Sequence, residues 1–220
     1  MQRAALGIRM HSGWGVLVAV SCDANSVEVI DRRRIVTTDP KIPGANQPYH
    51  YAASLALRES GLPESETYLA NCAAVSERLA STAVAEVVRE LEGRHRRIVG
   101  SAILLASGRP LPSLAKILAS HPLIHTAEGE FFRNAVRQAC EALKISVTAI
   151  AERELNERAK KAFGKAASQL QRQIAILGSA IGPPWTKDHK TAALAASIIL
   201  ENEQTINAPP TDLVHSAKVF

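Results

Sequence analysis

The groups best able to bind a metal or move a proton are concentrated in residues 120–133, SHPLIHTAEGEFFR. His121, His125, Thr126, Glu128 and Glu130 stand there at the mouth of an apolar helix. Thr126 fits an N-cap, its hydroxyl accepting from a free backbone N–H of the first turn. Glu128 and Glu130 then fall in that turn, where the helix dipole favours negative charge, so helix chemistry alone would account for both. Their phases differ. From Glu128, steps of three, four, seven and eleven residues reach Phe131, Phe132, Ala135 and Ala139; from Glu130 they reach Arg133, Asn134, Arg137 and Glu141. Glu128 therefore opens the buried face and Glu130 the wet one. A carboxylate at the end of a core-facing stripe needs a partner, which makes Glu128 a candidate catalytic or metal-binding residue. His125 is a candidate general acid or base, because imidazole titrates near neutrality without perturbation. His121, His125 and Glu128 could together ligate a metal, but Pro122 places His121 outside the helix and the H-E-x-x-H spacing is missing. The competing reading is a pair of hydrogen-bonded surface histidines.

Asp188 is the second informative acid. Helical steps from it reach Thr191, Ala192, Ala195, Ala196 and Ile199, a small and apolar face, so it too stands at the wet end of a packing surface. It is a candidate catalytic and metal-binding residue; the plainer reading is a first-turn aspartate held by the helix dipole. Lys187, His189 and Lys190 make its surroundings mixed and basic. Two basic runs, Arg32-Arg33-Arg34 and Arg94-His95-Arg96-Arg97, are candidates for contact with nucleic acid, although solvated faces commonly carry such runs.

The chain has 220 residues, enough for one large domain, or one domain with an added helical piece. Hydrophobic residues at 46% allow a substantial core, and aromatics at 4% with abundant alanine favour close-packed helices over an all-β sandwich. The formal charge of +5 is compatible with a phosphate-bearing partner. Cys22, Cys72 and Cys140 lie far apart with no C-x-x-C, a reduced, cytoplasmic pattern rather than a disulfide or zinc framework. The apolar run of residues 13–22 ends in Cys22 as a lipoprotein signal does, but it is short and follows His11 and Ser12, so it reads as a strand. No stretch approaches the roughly 20 apolar residues that span a bilayer.

Alternation over residues 6–20, with a turn at Ser12-Gly13, predicts a hairpin. A turn at 23–26 leads to a third strand over 26–37, giving an antiparallel meander. Residues 38–49, with three prolines, form a loop long enough to carry function. Helices follow over 50–60 and 64–92, the second capped by Ser65 or Thr67. Continuous apolar runs at 97–107 and 145–151 are buried strands of an α/β sheet, separated by helices at 111–119 and 127–143. Residues 152–181 place Leu155, Ala159, Ala162, Ala166, Leu170, Ile174, Leu177 and Ile181 at helical spacing. This is a helix docking on the domain, or one that binds a partner or a second copy as a homodimer. Pro183-Pro184 stops it, Thr186 caps a last helix over 187–200, and residues 201–220 form a loosely held tail.

This order of elements resembles the ribonuclease H-like superfamily, most closely its Holliday-junction resolvase branch. Gly7-Ile8-Arg9 followed by Gly13-Trp14-Gly15-Val16 is similar to the opening of that fold, where a Gly-Ile-Asp strand precedes a Gly-Trp-Gly-like one. Asp188 ahead of Thr191-Ala192-Ala193-Leu194-Ala195-Ala196 resembles its final helix, which returns an acid to the first strand. The resemblance implies one ribonuclease H-like α/β domain over residues 1–200. Its mixed sheet, an antiparallel meander of three strands plus parallel strands, is flanked by helices, with 152–181 as an insertion. It also implies phosphoester hydrolysis on nucleic acid with a divalent ion, Mg or Mn. The chain departs from the family where the first strand should carry a metal-binding aspartate: Arg9 stands there, and an arginine repels metals and attracts phosphate. Two-metal hydrolysis therefore does not carry over. Asp31 is a candidate substitute acid, on a strand whose facing the local sequence leaves open. In the implied geometry Arg9 grips a phosphate through its planar fork, with Ser12 and Lys187 nearby. His11 or His125 is the acid or base, and Glu128 and Asp188 orient them or hold one metal ion.

Three functions compete on these grounds. The chain is an enzyme, live or degenerate, acting on a phosphate-containing substrate. Alternatively it is a non-catalytic module gripping nucleic acid or nucleotide through Arg9, Arg32, Arg33, Arg34 and Lys187, or it is a scaffold assembled through 152–181. No G-x-x-x-x-G-K-[ST], G-x-G-x-x-G or G-x-S-x-G motif is present, which argues against a P-loop kinase, a Rossmann dehydrogenase and an α/β-hydrolase.

Overall fold

The computed structural model describes residues 1–23, 26–57, 61–106 and 110–206, without the side chains of residues 23 and 204–206. The expected turn at 23–26 and the tail beyond residue 206 lie wholly or partly outside the described residues. Strands β1 (Gln2–Met10), β2 (Trp14–Asp23) and β3 (Ser26–Val36) form the antiparallel meander. Strands β4 (Arg96–Leu105) and β5 (Val147–Ala151) add to it in parallel, giving the order β3-β2-β1-β4-β5 with β1 at the centre. This is the mixed sheet that the resemblance implies.

Helices cover both faces. Between β3 and β4 lie α1 (Pro48–Ala56) and α2 (Gly61–Gly93); between β4 and β5 lie α3 (Leu114–Leu118) and α4 (His121–Ala142). After β5 come α5 (Leu155–Phe163), α6 (Ala167–Ile181) and α7 (Lys187–Ile206). Strand alternation sorts the side chains of β1. Leu6, Ile8 and Met10 pack with α2 and α4 on one face, and Ala5 packs with α5, α6 and α7 on the other. Gly7 and Arg9 share the parity of Ala5, so they face α7. Gly7 lies against that helix so closely that an added Cβ would stand 1.9 Å from the carbonyl oxygen of Ala192. Ala192, Ala193, Ala195 and Ala196 are buried in this contact.

Several sequence expectations are corrected. Helix α4 begins at His121 after Ser120, not after Thr126; the Thr126 hydroxyl donates to the carbonyl oxygen of Pro122 inside the helix. Proline is tolerated in a first turn because the N–H it lacks would have had no partner there. Helix α2 begins at Gly61, and Ser65 and Thr67 donate to backbone carbonyls rather than capping it. The helical region 152–181 is two helices, broken at Gly164, whose φ is +54°. Its apolar positions Leu155, Ala159, Leu170 and Ile174 are buried in the core shared with α7, so these four positions of the stripe are used within the chain. Helix α7 runs past Leu200 to Ile206. Among the described residues no helix is long and apolar enough to cross a membrane.

The contact at Gly7 is the tightest among the described glycines, and the obstructing atom is backbone and cannot rotate away. Gly7→Ala should lower unfolding stability by about 1–3 kcal/mol or more through overpacking. Urea denaturation would measure it; an unchanged midpoint would mean that α7 does not lie this close.

Candidate functional site

Arg9 is the last outward residue of β1 on the α7 side, and all three nitrogens of its guanidinium have partners. It donates through Nε to Glu152 Oε1 at 3.0 Å and through Nη2 to Glu152 Oε2 at 3.2 Å, a bidentate pair. Its Nη1 donates to Asp188 Oδ1. Glu152 reaches it because it follows β5 directly and shares the parity of Ile150, which packs on the same face. Asp188 reaches it because α7 lies on Gly7. Burial works against the charged form of Arg9, but the hydrogen bonds and charges of Glu152, then Asp188, outweigh it and raise its pKa above the ordinary value.

His11, just beyond β1, places Nε2 2.8 Å from Asp188 Oδ2. The same Nε2 lies 3.1 Å from Arg9 Nη1; the tautomer protonated at Nε2 donates to Asp188 and leaves Nδ1 free, and the other accepts from Arg9. The imidazole is stacked on Trp14 at 4.4 Å between centroids. The exposed guanidinium of Arg34 lies over the Trp14 ring at 4.3 Å. Trp14, Arg34, Arg32, Asp188 and His189 line a cleft of about 420 Å³.

The arginine run is divided by the strand period. Val16 pairs with Arg34 and Val18 with Arg32, which puts both on the α7 face; Arg33 pairs with Leu17 and faces α2. Arg32 donates to the carbonyl oxygens of Ile181, Gly182, Pro183 and Pro184 at 2.5–3.1 Å, fastening the loop that leads into α7. Arg33 is paired with Asp31 and Glu90. Asp31 is therefore on the face opposite Arg9 and cannot replace the missing first-strand acid. Ser12 is exposed and lines a separate hollow with residues of the 40–47 loop; Lys187 is exposed at the start of α7.

Glu128 belongs elsewhere. It is 3% exposed, on α4, and its Oε1 accepts from the backbone N–H of His50 at 3.2 Å and lies 2.8 Å from His50 Nδ1. His121 and His125 are one turn apart on the same helix, Nε2 to Nε2 3.0 Å, and both rings lie against His50. The neighbouring Tyr49 phenol is raised in pKa by burial and then by the charge of Glu128. Glu130, expected on the wet face, is instead partly buried and pairs at 2.9 Å with Arg133, itself 5% exposed. Thus His11 and Asp188 are brought together, while Glu128 and His125 join a second cluster on the other side of the sheet. A divalent ion shared between Glu128 and Asp188 has no geometry here, and one bound at Asp188 would have to displace Arg9.

Two participants escaped the sequence reading. Glu152 had a signal, since it stands where β5 ends on the side of the site. His50 had none, since only the docking of α1 on α4 brings it to Glu128.

Thr186 and His189 close the start of α7. His189 Nδ1 accepts from the Thr186 backbone N–H at 3.3 Å and lies 2.8 Å from its hydroxyl, as the third helical residue does in a capping box. Burial, then Arg32, lowers the pKa of His189 below the ordinary 6.5, with Asp188 opposing. Between that lowered value and 6.5 the unfolded chain binds a proton that the folded chain refuses. Stability from this group is therefore complete above about pH 6.5 and declines as pH falls through the window. His189→Gln should flatten that part of the acid limb, measured as urea midpoints at about pH 7.5 and about pH 5.

No family model and no curated protein matches the chain. Among solved structures, Thermus thermophilus RuvC in complex with a Holliday junction substrate superposes with a TM-score of 0.50 at 11% identity, covering 92% of this chain and 96% of that one. A second structure of Thermus thermophilus RuvC gives 0.48 at 13% identity with the same coverage. An Aquifex aeolicus member of the Ppx/GppA family gives 0.35 at 10%, covering 75% of this chain and 40% of that one. With β1 central, antiparallel to β2 on one side and parallel to β4 on the other, the chain has the ribonuclease H-like fold.

Proposed function

We propose that this chain is a ribonuclease H-like module that binds nucleic acid without cutting it by two-metal hydrolysis. The observation carrying this reading is Arg9, bonded to both Glu152 and Asp188 at the end of the central strand. Two-metal hydrolysis needs carboxylates free to clamp cations about the scissile phosphate. Here the two acids already hold a cation that is covalently part of the chain. Arg9 is a poor hold for phosphate, since each of its guanidinium nitrogens already bonds to one of those carboxylates. The cation that can meet a phosphate is Arg34, exposed at the cleft and set in place by Trp14. Lys187, also exposed, can assist it as a point charge. The resolvase with this arrangement of elements was solved on a Holliday junction, so branched DNA is the ligand to try first.

The test is fluorescence anisotropy with a labelled four-way junction, duplex and single strand at two salt concentrations, beside a cleavage assay in Mg²⁺ and Mn²⁺. Binding should weaken as salt rises, and Arg34→Ala should reduce the salt slope by about one. Metal-dependent cleavage abolished by Asp188→Ala would overturn the proposal in favour of a nuclease, and no binding to any ligand would favour the scaffold. A second reading rests on the His11–Asp188 pair, in which Nδ1 of His11 serves as a metal-independent base. It requires cleavage in EDTA that His11→Ala removes.

Arg9 also makes a folding test. Arg9→Ala leaves two partly buried carboxylates facing each other and should cost about 1–3 kcal/mol. Arg9→Asp should cost more in EDTA and recover thermal stability when Mg²⁺ is added, because the third carboxylate recreates a demand for a cation. A melting temperature indifferent to Mg²⁺ would show that these side chains cannot converge on an ion.

A further inference from the structure

We infer that His50, His121 and His125 form a binding site for one transition-metal ion of the zinc class, with Glu128 as the hydrogen-bonding partner that orients it. This does not rest on the nucleic-acid reading, since the site is on the α4 side of the sheet. One nitrogen from each of the three imidazoles lies within 4.8 Å of the others. A tetrahedral zinc ion with bonds of about 2.0–2.1 Å holds its nitrogen ligands roughly 3.4 Å apart. The Nε2 atoms of His121 and His125 are 3.0 Å apart, so small ring movements bring the set onto an ion.

The cluster is constructed by the fold. His121 and His125 are one turn apart on α4, hence on one face. His50 comes from α1, which is held there by Tyr49 and Ala53 packing on the apolar group of Ile124 and Ala127. The carboxylate of Glu128 is buried and accepts from the His50 backbone, which positions it on that ring. With Nδ1–H of His50 donated to Glu128, the lone pair of Nε2 is left for a metal. A buried carboxylate behind a ligating histidine fixes the tautomer and raises ligand basicity. A hydrogen-bonded surface pair would need neither the third histidine nor the buried acid. Three neutral nitrogen donors suit zinc, cobalt, nickel or copper and are poor ligands for magnesium or calcium. His121 and His125 are exposed and His50 is partly so, so a fourth position is left for water.

The experiment is titration of the untagged full chain with Co²⁺, followed by visible d–d absorption, then competition with Zn²⁺. The expected result is saturable uptake of one equivalent, displaced by Zn²⁺. His121→Gln and His125→Gln, at exposed positions where the fold is not at stake, should each abolish the signal. Glu128→Gln should keep the stoichiometry and weaken affinity by about 10–100-fold. His11→Ala and His189→Gln should change nothing. Absence of one-equivalent uptake by the wild-type chain, or uptake unaltered in both exposed variants, overturns the inference.

Discussion

The backbone of α7 rests on the backbone of β1 at Gly7, and the sheet-end chemistry depends on that contact. Without a side chain at Gly7, and with alanines at 192, 193, 195 and 196, helix and strand approach nearer than larger residues would permit. Asp188 is one turn before Ala192. The depth of the helix at Ala192 therefore sets where Asp188 stands relative to Arg9, two residues along the strand from Gly7. Hydrogen bonds tolerate only a few tenths of an ångström. A helix seated on larger side chains would carry Asp188 out of reach of both Arg9 and His11. The small-residue pattern is thus a positioning device, and the alanines that look inert in the sequence are what aim the acid.

The charges at the end of β1 follow from this placement. Asp188 and Glu152 bring two negative charges and Arg9 one positive charge. An aspartate in place of Arg9 would add a third negative charge and create a strong demand for a cation; an arginine supplies the cation from within. The same arrangement keeps Arg9 away from anions, since a phosphate approaching it would meet both carboxylates. Among the described arginines of the cleft, Arg34 is exposed and without a carboxylate partner. Arg32, adjacent to the same cleft, has its donors satisfied by carbonyls at the end of α6 and in the loop beyond it. That is a favourable place for a positive charge.

The strands and their order were legible because period-two alternation and continuous apolar runs are local signals. The three arginines show where such signals stop. Once β3 is a strand, Arg32 and Arg34 must point one way and Arg33 the other. Which way depends on the register against β2, a long-range property absent from the local sequence. Asp31 was undecidable for the same reason. The start of α4 differs for another reason: Pro122 reads as a helix breaker, yet it sits in the first turn of the helix. In a first turn proline breaks nothing, and the helix starts six residues earlier than expected, which places His121 one turn from His125. The apolar repeat of 152–181 packs within the chain at Leu155, Ala159, Leu170 and Ile174. Its division at Gly164 turns one long stripe into two short faces, a consequence of backbone geometry that hydrophobic spacing does not encode.

The sheet itself explains why one imagined site became two. Glu128 and Asp188 each read in the sequence as the wet end of an apolar helix face, which is why they look alike there, although Glu128 is 3% exposed in the fold. Their helices pack on opposite faces of β1: α4 meets Leu6, Ile8 and Met10, and α7 meets Ala5 and Gly7. A residue within a strand reaches one side only. Only residues beyond the strand ends are free to choose, and His11, the first of these, bonds to Asp188 while His50 takes Glu128. Each carboxylate is thereby matched to a histidine on its own side. The two pairs differ in what surrounds them. An arginine closes the first, whereas two more imidazoles stand open beside the second. One cluster carries its own cation, and the other presents nitrogen lone pairs able to accept one from solution.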